Sequence, residues 1–263
     1  MDMIQLVILA VVQGLTEFLP VSSSGHLVLL QNWFSTFTGD VFLDVVLHGG
    51  TLAAVVVAYW KDIRRLLSFD APAVQYMVAL ATATVPAVIV GLIFKDTVTR
   101  LFHDPRVAAV CLVVTGLILL STRLAKDSDG RRRIRGEWHP VAPPLYKAFL
   151  IGFAQAMAIT PGISRSGSTI AASLWLGLGR EEAARFSFLM AVPAIAGALL
   201  LETMKGLPTT AATPFGLVLG VLVAFLVGLA AIRLTALLVV QRHFWRFAFY
   251  CVPLGLVMFV ILD

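Results

Sequence analysis

Charge is scarce in this sequence. Asp, Glu, Lys and Arg make up 13% of its 263 residues and hydrophobic residues 59%, against about 25% and roughly 45–50% in soluble domains. Such a chain cannot cover a water-facing surface, which excludes an ordinary soluble domain and places it in a bilayer. Cysteine is scarce too. Cys111 and Cys251 both lie inside apolar stretches, where a lone thiol behaves as a small hydrophobe, so neither a disulfide framework nor a cysteine metal cluster is read from them. A basic leader is also missing: Met-Asp-Met-Ile carries no positive charge, and no small-residue cleavage site follows the first apolar run. That excludes a cleavable signal and leads us to expect the first segment in the mature protein.

What is present is a series of apolar stretches separated by short polar connectors. Stretches near residues 43–60, 76–94, 107–122, 183–201, 214–232 and 247–262 are each long enough to cross about 30 Å of hydrocarbon and are read as full spans. Two further apolar regions, about 3–34 and 146–178, are interrupted halfway by Pro, Gly and Ser, so neither reads as one continuous helix.

The basic residues divide unevenly between alternate connectors. One side collects 15 of the 20, including Lys61, Arg64, Arg65, Arg123, Lys126, the run Arg131-Arg132-Arg133-Ile134-Arg135, Lys147 and Arg246. The other side holds Lys95, Arg100, Arg106 and Lys205, and Arg165 sits in an interrupted segment. The positive-inside rule makes the crowded side cytoplasmic and puts both termini outside. The arginine run then reads as a solvated loop touching anionic lipid, and no nucleic-acid partner is expected.

The basic, proline-containing stretch 123–147 separates two like series, each an interrupted segment followed by three spans: a first repeat over 1–122 and a second over 148–263. Three crossings per half is an odd number, so the halves enter from opposite faces, as in the inverted repeats of many transporters. A shift of 142 residues aligns Gln13 with Gln155, Ser22 with Ser164, Ser24 with Ser166 and Gly25 with Gly167. Irregular backbone is not tolerated against lipid. The fold class expected is therefore an all-α polytopic membrane protein of six transmembrane helices plus two re-entrant helical hairpins in an inverted-topology repeat. If the breaks meet, each aims a helix N-terminus, rich in free N–H groups, at a shared cavity suited to an anion.

The first break reads Gln13-Gly-Leu-Thr-Glu17-Phe-Leu-Pro20-Val-Ser22-Ser23-Ser24-Gly25-His26. Gln13 and Glu17 share a helix face, Pro20 ends that helix, and the serines can cap the next one or face a ligand. An ionisable Glu17 at membrane depth costs several kcal/mol and marks function. The second break reads Pro161-Gly162-Ile163-Ser164-Arg165-Ser166-Gly167-Ser168-Thr169. Arg165 offers a planar fork of donors to phosphate oxygens, with hydroxyls and glycine amides around it to complete an oxyanion cradle; a structural ion pair with Glu17 is the plainer reading of the same residue.

These two segments, Q-G-L-T-E-F-L-P-V-S-S-S-G-H and P-G-I-S-R-S-G-S-T, resemble the signature motifs of the bacterial undecaprenyl pyrophosphate phosphatase family, also called the bacitracin resistance protein, and the resemblance runs nearly the full chain. The family pattern places Glu or Gln four residues before a Glu, here Gln13 and Glu17, and Ser24 stands where a threonine is common. The resemblance implies hydrolysis of a C55 polyprenyl pyrophosphate to its monophosphate in the bacterial plasma membrane, recycling the carrier for cell-wall glycans, at a site open to the outer face and to lipid from the side. It also implies a divalent cation, magnesium with calcium as the alternative, for which Glu17 and the Gln13 carbonyl are the oxygen ligands to consider. The partners expected are the prenyl pyrophosphate and membrane lipids, with a homodimer left open.

On this reading Ser23 is the nucleophile, Glu17 or His26 activates it and later water, and Arg165 clamps the phosphate. Gln13, Ser22, Ser24, Gly25, Gly162, Ser164, Ser166, Gly167 and Thr169 line the substrate. His26 as nucleophile, or direct attack by water, stays open. His48 lies outside both motifs and is read as a helix-packing hydrogen bond. His103, His139 and His243 read as interfacial, and Trp60, Trp138, Trp175 and Trp245 as interface anchors. The main rival is a transporter or flippase of a prenyl phosphate lipid, which the same architecture would serve but which has little use for Glu, Ser and His packed together. A channel subunit leaves that cluster unexplained.

Overall fold

The computed structural model describes residues 3–33, 41–125, 140–204 and 213–262. Lys126, the Arg131–Arg135 run, Trp138, His139 and Lys205 lie outside them. Every regular element among the described residues is helical. In chain order these are α1 (Met3–Phe18), α2 (Ser23–Trp33), α3 (Val41–Ala58), α4 (Trp60–Leu66), α5 (Ala71–Ile93), α6 (Lys95–Phe102), α7 (Pro105–Ser121), α8 (Leu145–Met157), α9 (Arg165–Trp175), α10 (Arg180–Met204), α11 (Pro214–Val240) and α12 (Ala248–Ile261), with short 3₁₀ turns at Thr122–Leu124 and Phe244–Phe247.

Five of the six expected spans are single helices of sufficient length and apolarity: α5, α7 with its following turn, α10, α11, and α12 with its preceding turn. The sixth, 43–60, falls on α3, after which the chain bends by 74° into the charged α4, and α3 counts as a span of sufficient length only together with α4. The long helices start where a short polar side chain precedes proline. Asp70 accepts from the Ala73 N–H (3.0 Å), Asp104 from Arg106 (2.9 Å) and Thr213 from Gly216 (3.1 Å), so an amide with no helical partner is satisfied and proline occupies a first-turn position that needs no N–H. Outward-facing Val85, Val88, Ile89 and Leu92 on α5, and Val218, Leu222 and Leu226 on α11, are exposed, as a lipid-facing surface requires.

Both expected breaks are present. Residues 19–22 separate α1 from α2, and residues 158–164 separate α8 from α9. Each leading helix packs on the other half of the chain, α1 along α11 and α8 along α5. Helix α11 is suited to this because Gly216, Gly220, Ala224 and Gly228 recur every fourth residue as a buried stripe of small side chains. Gly14 of α1 and Gly50 of α3 both press against it, so closely that a Cβ would lie 2.8 Å from the Ala224 carbonyl oxygen in the first case and 2.7 Å from that of Val221 in the second. Two helices are thereby held on one stripe. The consequence is that Gln13 and Glu17 of α1 come to stand beside His48 of α3.

Candidate active site

The same serine hydrogen bonds open the helix after each break. In the first, the Ser22 hydroxyl accepts from the Gly25 N–H (3.2 Å) and lies 3.2 Å from the Ser24 hydroxyl. In the second, the Ser164 hydroxyl accepts from the Gly167 N–H (3.1 Å) and lies 3.3 Å from that of Ser166. These are the positions that the 142-residue shift aligns. Ser22 and Ser164 therefore act first as caps, opening α2 and α9.

The breaks touch. A Cβ on Gly25 would lie 2.8 Å from the Gly162 Cα, so only hydrogen at this point allows the two backbones to meet. Gly162 is itself in the left-handed region at φ +92°, where L side chains are strained, and Ser22 takes φ +67° without being glycine. Ser166 ties the breaks further by donating to the Leu19 carbonyl (3.3 Å). Buried Thr115 of α7 fixes the second break from behind, donating to the Gly162 carbonyl (2.8 Å) while accepting from the Ser164 N–H (3.0 Å). Thr235 of α11 donates to the Phe18 carbonyl (3.1 Å) and so closes the end of α1.

Glu17 is the hub where the side chains converge, with only 9% of its surface exposed. Its Oε1 receives Arg165 at 2.5 Å. Its Oε2 accepts from the Ser23 hydroxyl (2.7 Å) and the Gln13 carboxamide (3.1 Å), and the His48 Nε2 stands 3.7 Å away. A buried carboxylate needs a cation and donors to offset its desolvation, and Glu17 has both. The pairing with Arg165 is the structural ion pair that the sequence left as the plainer reading. It crosses between the halves.

Other expected site residues face elsewhere. His26 bonds the Ser22 carbonyl through Nδ1 (2.8 Å) and the Tyr250 hydroxyl through Nε2 (2.7 Å), its ring stacked on that of Tyr250. A carbonyl only accepts, so Nδ1 carries the hydrogen, and in a neutral ring Nε2 accepts from Tyr250. Thr169 turns into the packing against α10, 2.6 Å from the Ser187 hydroxyl. Gln155, the counterpart of Gln13, is buried with neither carboxamide atom bonded. His48 does make a hydrogen bond, from Nδ1 to the Asp44 carbonyl of its own helix (2.7 Å). Its other nitrogen reaches the hub, which sequence reasoning missed along with Thr115 and Tyr250. The one available signal for His48 was an ionisable residue within an apolar stretch.

These features define the class as a polytopic helical membrane protein whose two broken helices bring a carboxylate, a hydroxyl and a guanidinium together. The model of the bacitracin resistance protein BacA family matches residues 6–257, and the chain belongs to that family. A relative from Syntrophotalea carbinolica named undecaprenyl-diphosphatase is 43% identical over 270 residues, covering 99% of each chain. Proteins of the same name from Halothermothrix orenii, 36% identical over 99% of this chain and 98% of its own length, and Korarchaeum cryptofilum, 37% identical over the whole of both, are also similar.

Proposed function

We propose that this protein hydrolyses undecaprenyl diphosphate to the monophosphate and inorganic phosphate. The observation that carries the proposal is the Ser23 hydroxyl donating to Glu17, whose other oxygen holds Arg165 across the two breaks. The family and the names of its relatives agree with it.

Ser23 is the nucleophile in this reading. Its proton passes to Glu17 Oε2 as Oγ bonds the terminal phosphorus, and the bond from phosphorus to the bridging oxygen breaks, releasing prenyl monophosphate. The departing monophosphate takes that proton from Glu17; water then attacks the phosphorus, Glu17 accepting a water proton and returning it to the Ser23 oxygen as the phosphorus–Oγ bond breaks and phosphate leaves. Arg165 exchanges one carboxylate oxygen for phosphate oxygens, and the N-terminus of α9 adds its partial positive charge. His26 is already engaged at both nitrogens, so it serves as a brace of the first break. A lipid carrier alone would leave the Ser23–Glu17 contact without a task.

The donor set fits a hard divalent cation. Gln13 Oε1 is buried without a partner beside the Glu17 carboxylate, and both are oxygen donors. Magnesium or calcium held there would neutralise charge on the pyrophosphate.

The architecture proposed is six spans, counting the bent α3–α4 pair as one, with α1–α2 and α8–α9 as re-entrant hairpins of an inverted repeat. The matching caps and the reciprocal packing of α1 on α11 and α8 on α5 support it. The charge distribution supports both termini and the site opening on the outer face of the plasma membrane.

The test is phosphate release from C55 prenyl diphosphate by purified protein, followed by quenching with terminally ³²P-labelled substrate. Release with label on Ser23 is expected. No release with magnesium or calcium supplied refutes the activity, and label on His26 refutes the serine.

A further inference from the structure

We infer that His48 is a nitrogen ligand of the divalent cation, completing a site with Glu17 Oε2 and Gln13 Oε1. This deepens the reading of the hub as a cation-assisted phosphatase centre, and rests on that reading for its purpose but not for its geometry.

Three observations converge. First, the Asp44 carbonyl can only accept, so the Nδ1 of His48 carries the hydrogen and, in the neutral ring, Nε2 presents a lone pair. Metal-ligating imidazoles are held in this way, with the far N–H bound to a carbonyl that fixes tautomer and ring plane. Second, that nitrogen stands 3.7 Å from a carboxylate oxygen. A neutral imidazole nitrogen and a carboxylate oxygen so placed repel unless something positive lies between them. Donors each ~2.1 Å from one ion stand roughly 3.0–4.2 Å apart, depending on the angle at the metal, which brackets the observed separation.

Third, Gln13 Oε1 is a buried acceptor with no partner, on a side chain only 1% exposed. The same carboxamide reaches Glu17 Oε2 through its nitrogen. A half-turn about the last side-chain bond exchanges nitrogen for oxygen with almost no change of shape, presenting an oxygen donor at the hub. The packing already described fixes these donors relative to one another, because Gly14 and Gly50 seat α1 and α3 on the same stretch of α11. Among the described residues no cluster of three His, Cys, Asp or Glu is present, and the third donor in this proposal is the Gln13 amide oxygen.

A site of one imidazole, one carboxylate and one amide oxygen has a single negative charge and a borderline nitrogen donor. Mn²⁺ shares magnesium's preference for carboxylate and carbonyl oxygen and makes a magnetic probe of the same site. His48 adds a donor to a hub whose one negative charge is Glu17.

The experiment uses the purified full-length protein loaded with Mn²⁺ alone and read by pulsed electron paramagnetic resonance. Wild type should show nitrogen modulation from a directly bound imidazole, altered when histidine is ¹⁵N-labelled. His48→Gln should lose the modulation and bind Mn²⁺ at least about tenfold more weakly, since removing even a hydrogen-bond partner of a ligand costs roughly 10–100-fold, whereas His26→Gln should keep the modulation. Bound Mn²⁺ without nitrogen modulation, modulation that survives His48→Gln, or no Mn²⁺ uptake overturns the inference. Phosphate release from the same wild-type sample reports separately on the phosphatase reading, so failure of one is distinguishable from failure of the other.

Discussion

The contact between the two breaks can be tested by adding one methyl group. In Gly25→Ala the new Cβ would lie 2.8 Å from the Gly162 Cα and 3.2 Å from its nitrogen, whereas ordinary contact begins near 3.4 Å. The breaks must therefore separate by about 0.6 Å, the difference between 3.4 and 2.8 Å. Neither backbone can retreat freely, since Thr115 pins Gly162 from behind and Ser22 caps Gly25 from within. Overpacking of this kind costs typically 1–3 kcal/mol. The larger effect is on chemistry. The shift opens the seam that sets Arg165 against Glu17 and Ser23, and misplacement approaching 1 Å at a reacting centre costs on the order of 100-fold. The matched control is Gly197→Ala on α10, where a Cβ meets nothing within 4 Å and stability should rise by roughly 0.5–1 kcal/mol. Phosphate release and thermal unfolding in detergent are measured side by side. Gly25→Ala should lose at least tenfold in kcat/KM and Gly197→Ala should not. Equal activity in the two variants would refute the claim that the breaks meet at Gly25.

Arg165→Ala should abolish nearly all turnover while the protein still inserts; it also strands Glu17 as a buried charge, at a cost of about 3–5 kcal/mol, visible as a lowered unfolding temperature. Arg165→Lys should recover the stability better than the rate, because ammonium keeps the charge but not the fork. Thr115→Val keeps the shape and removes both bonds to the second break. It should cost roughly 1–3 kcal/mol per group left unsatisfied and lower kcat through a displaced Arg165, with activity unchanged counting against an anchoring role.

Much of this architecture was legible in the chain. Apolar length marked the spans, and the 74° bend after Ala58 falls where the apolar stretch gives way to Lys61, Asp62, Arg64 and Arg65. Pro20, Gly162 and the flanking serines announced both breaks, since their local effect on the backbone holds in any surroundings. Glu17 and Arg165 stood out because charge at membrane depth is costly.

Contacts between residues far apart in sequence were another matter. His48 looked like packing until α3 and α1 were seen against one stripe of α11, which sets its nitrogen beside Glu17. Tyr250 reaches His26 across 224 positions and Thr115 reaches Gly162 across 47, separations at which no local periodicity carries information. His26 shows the difference most clearly. Its sequence neighbours made it a candidate reactive group beside Ser23, and the fold sets its ring nitrogens against the Ser22 carbonyl and the Tyr250 hydroxyl of α12. The amino-acid sequence by itself determined which groups are present and where the helices break; only the close packing of small residues on α11, and of Gly25 on Gly162, decided which of those groups share a site.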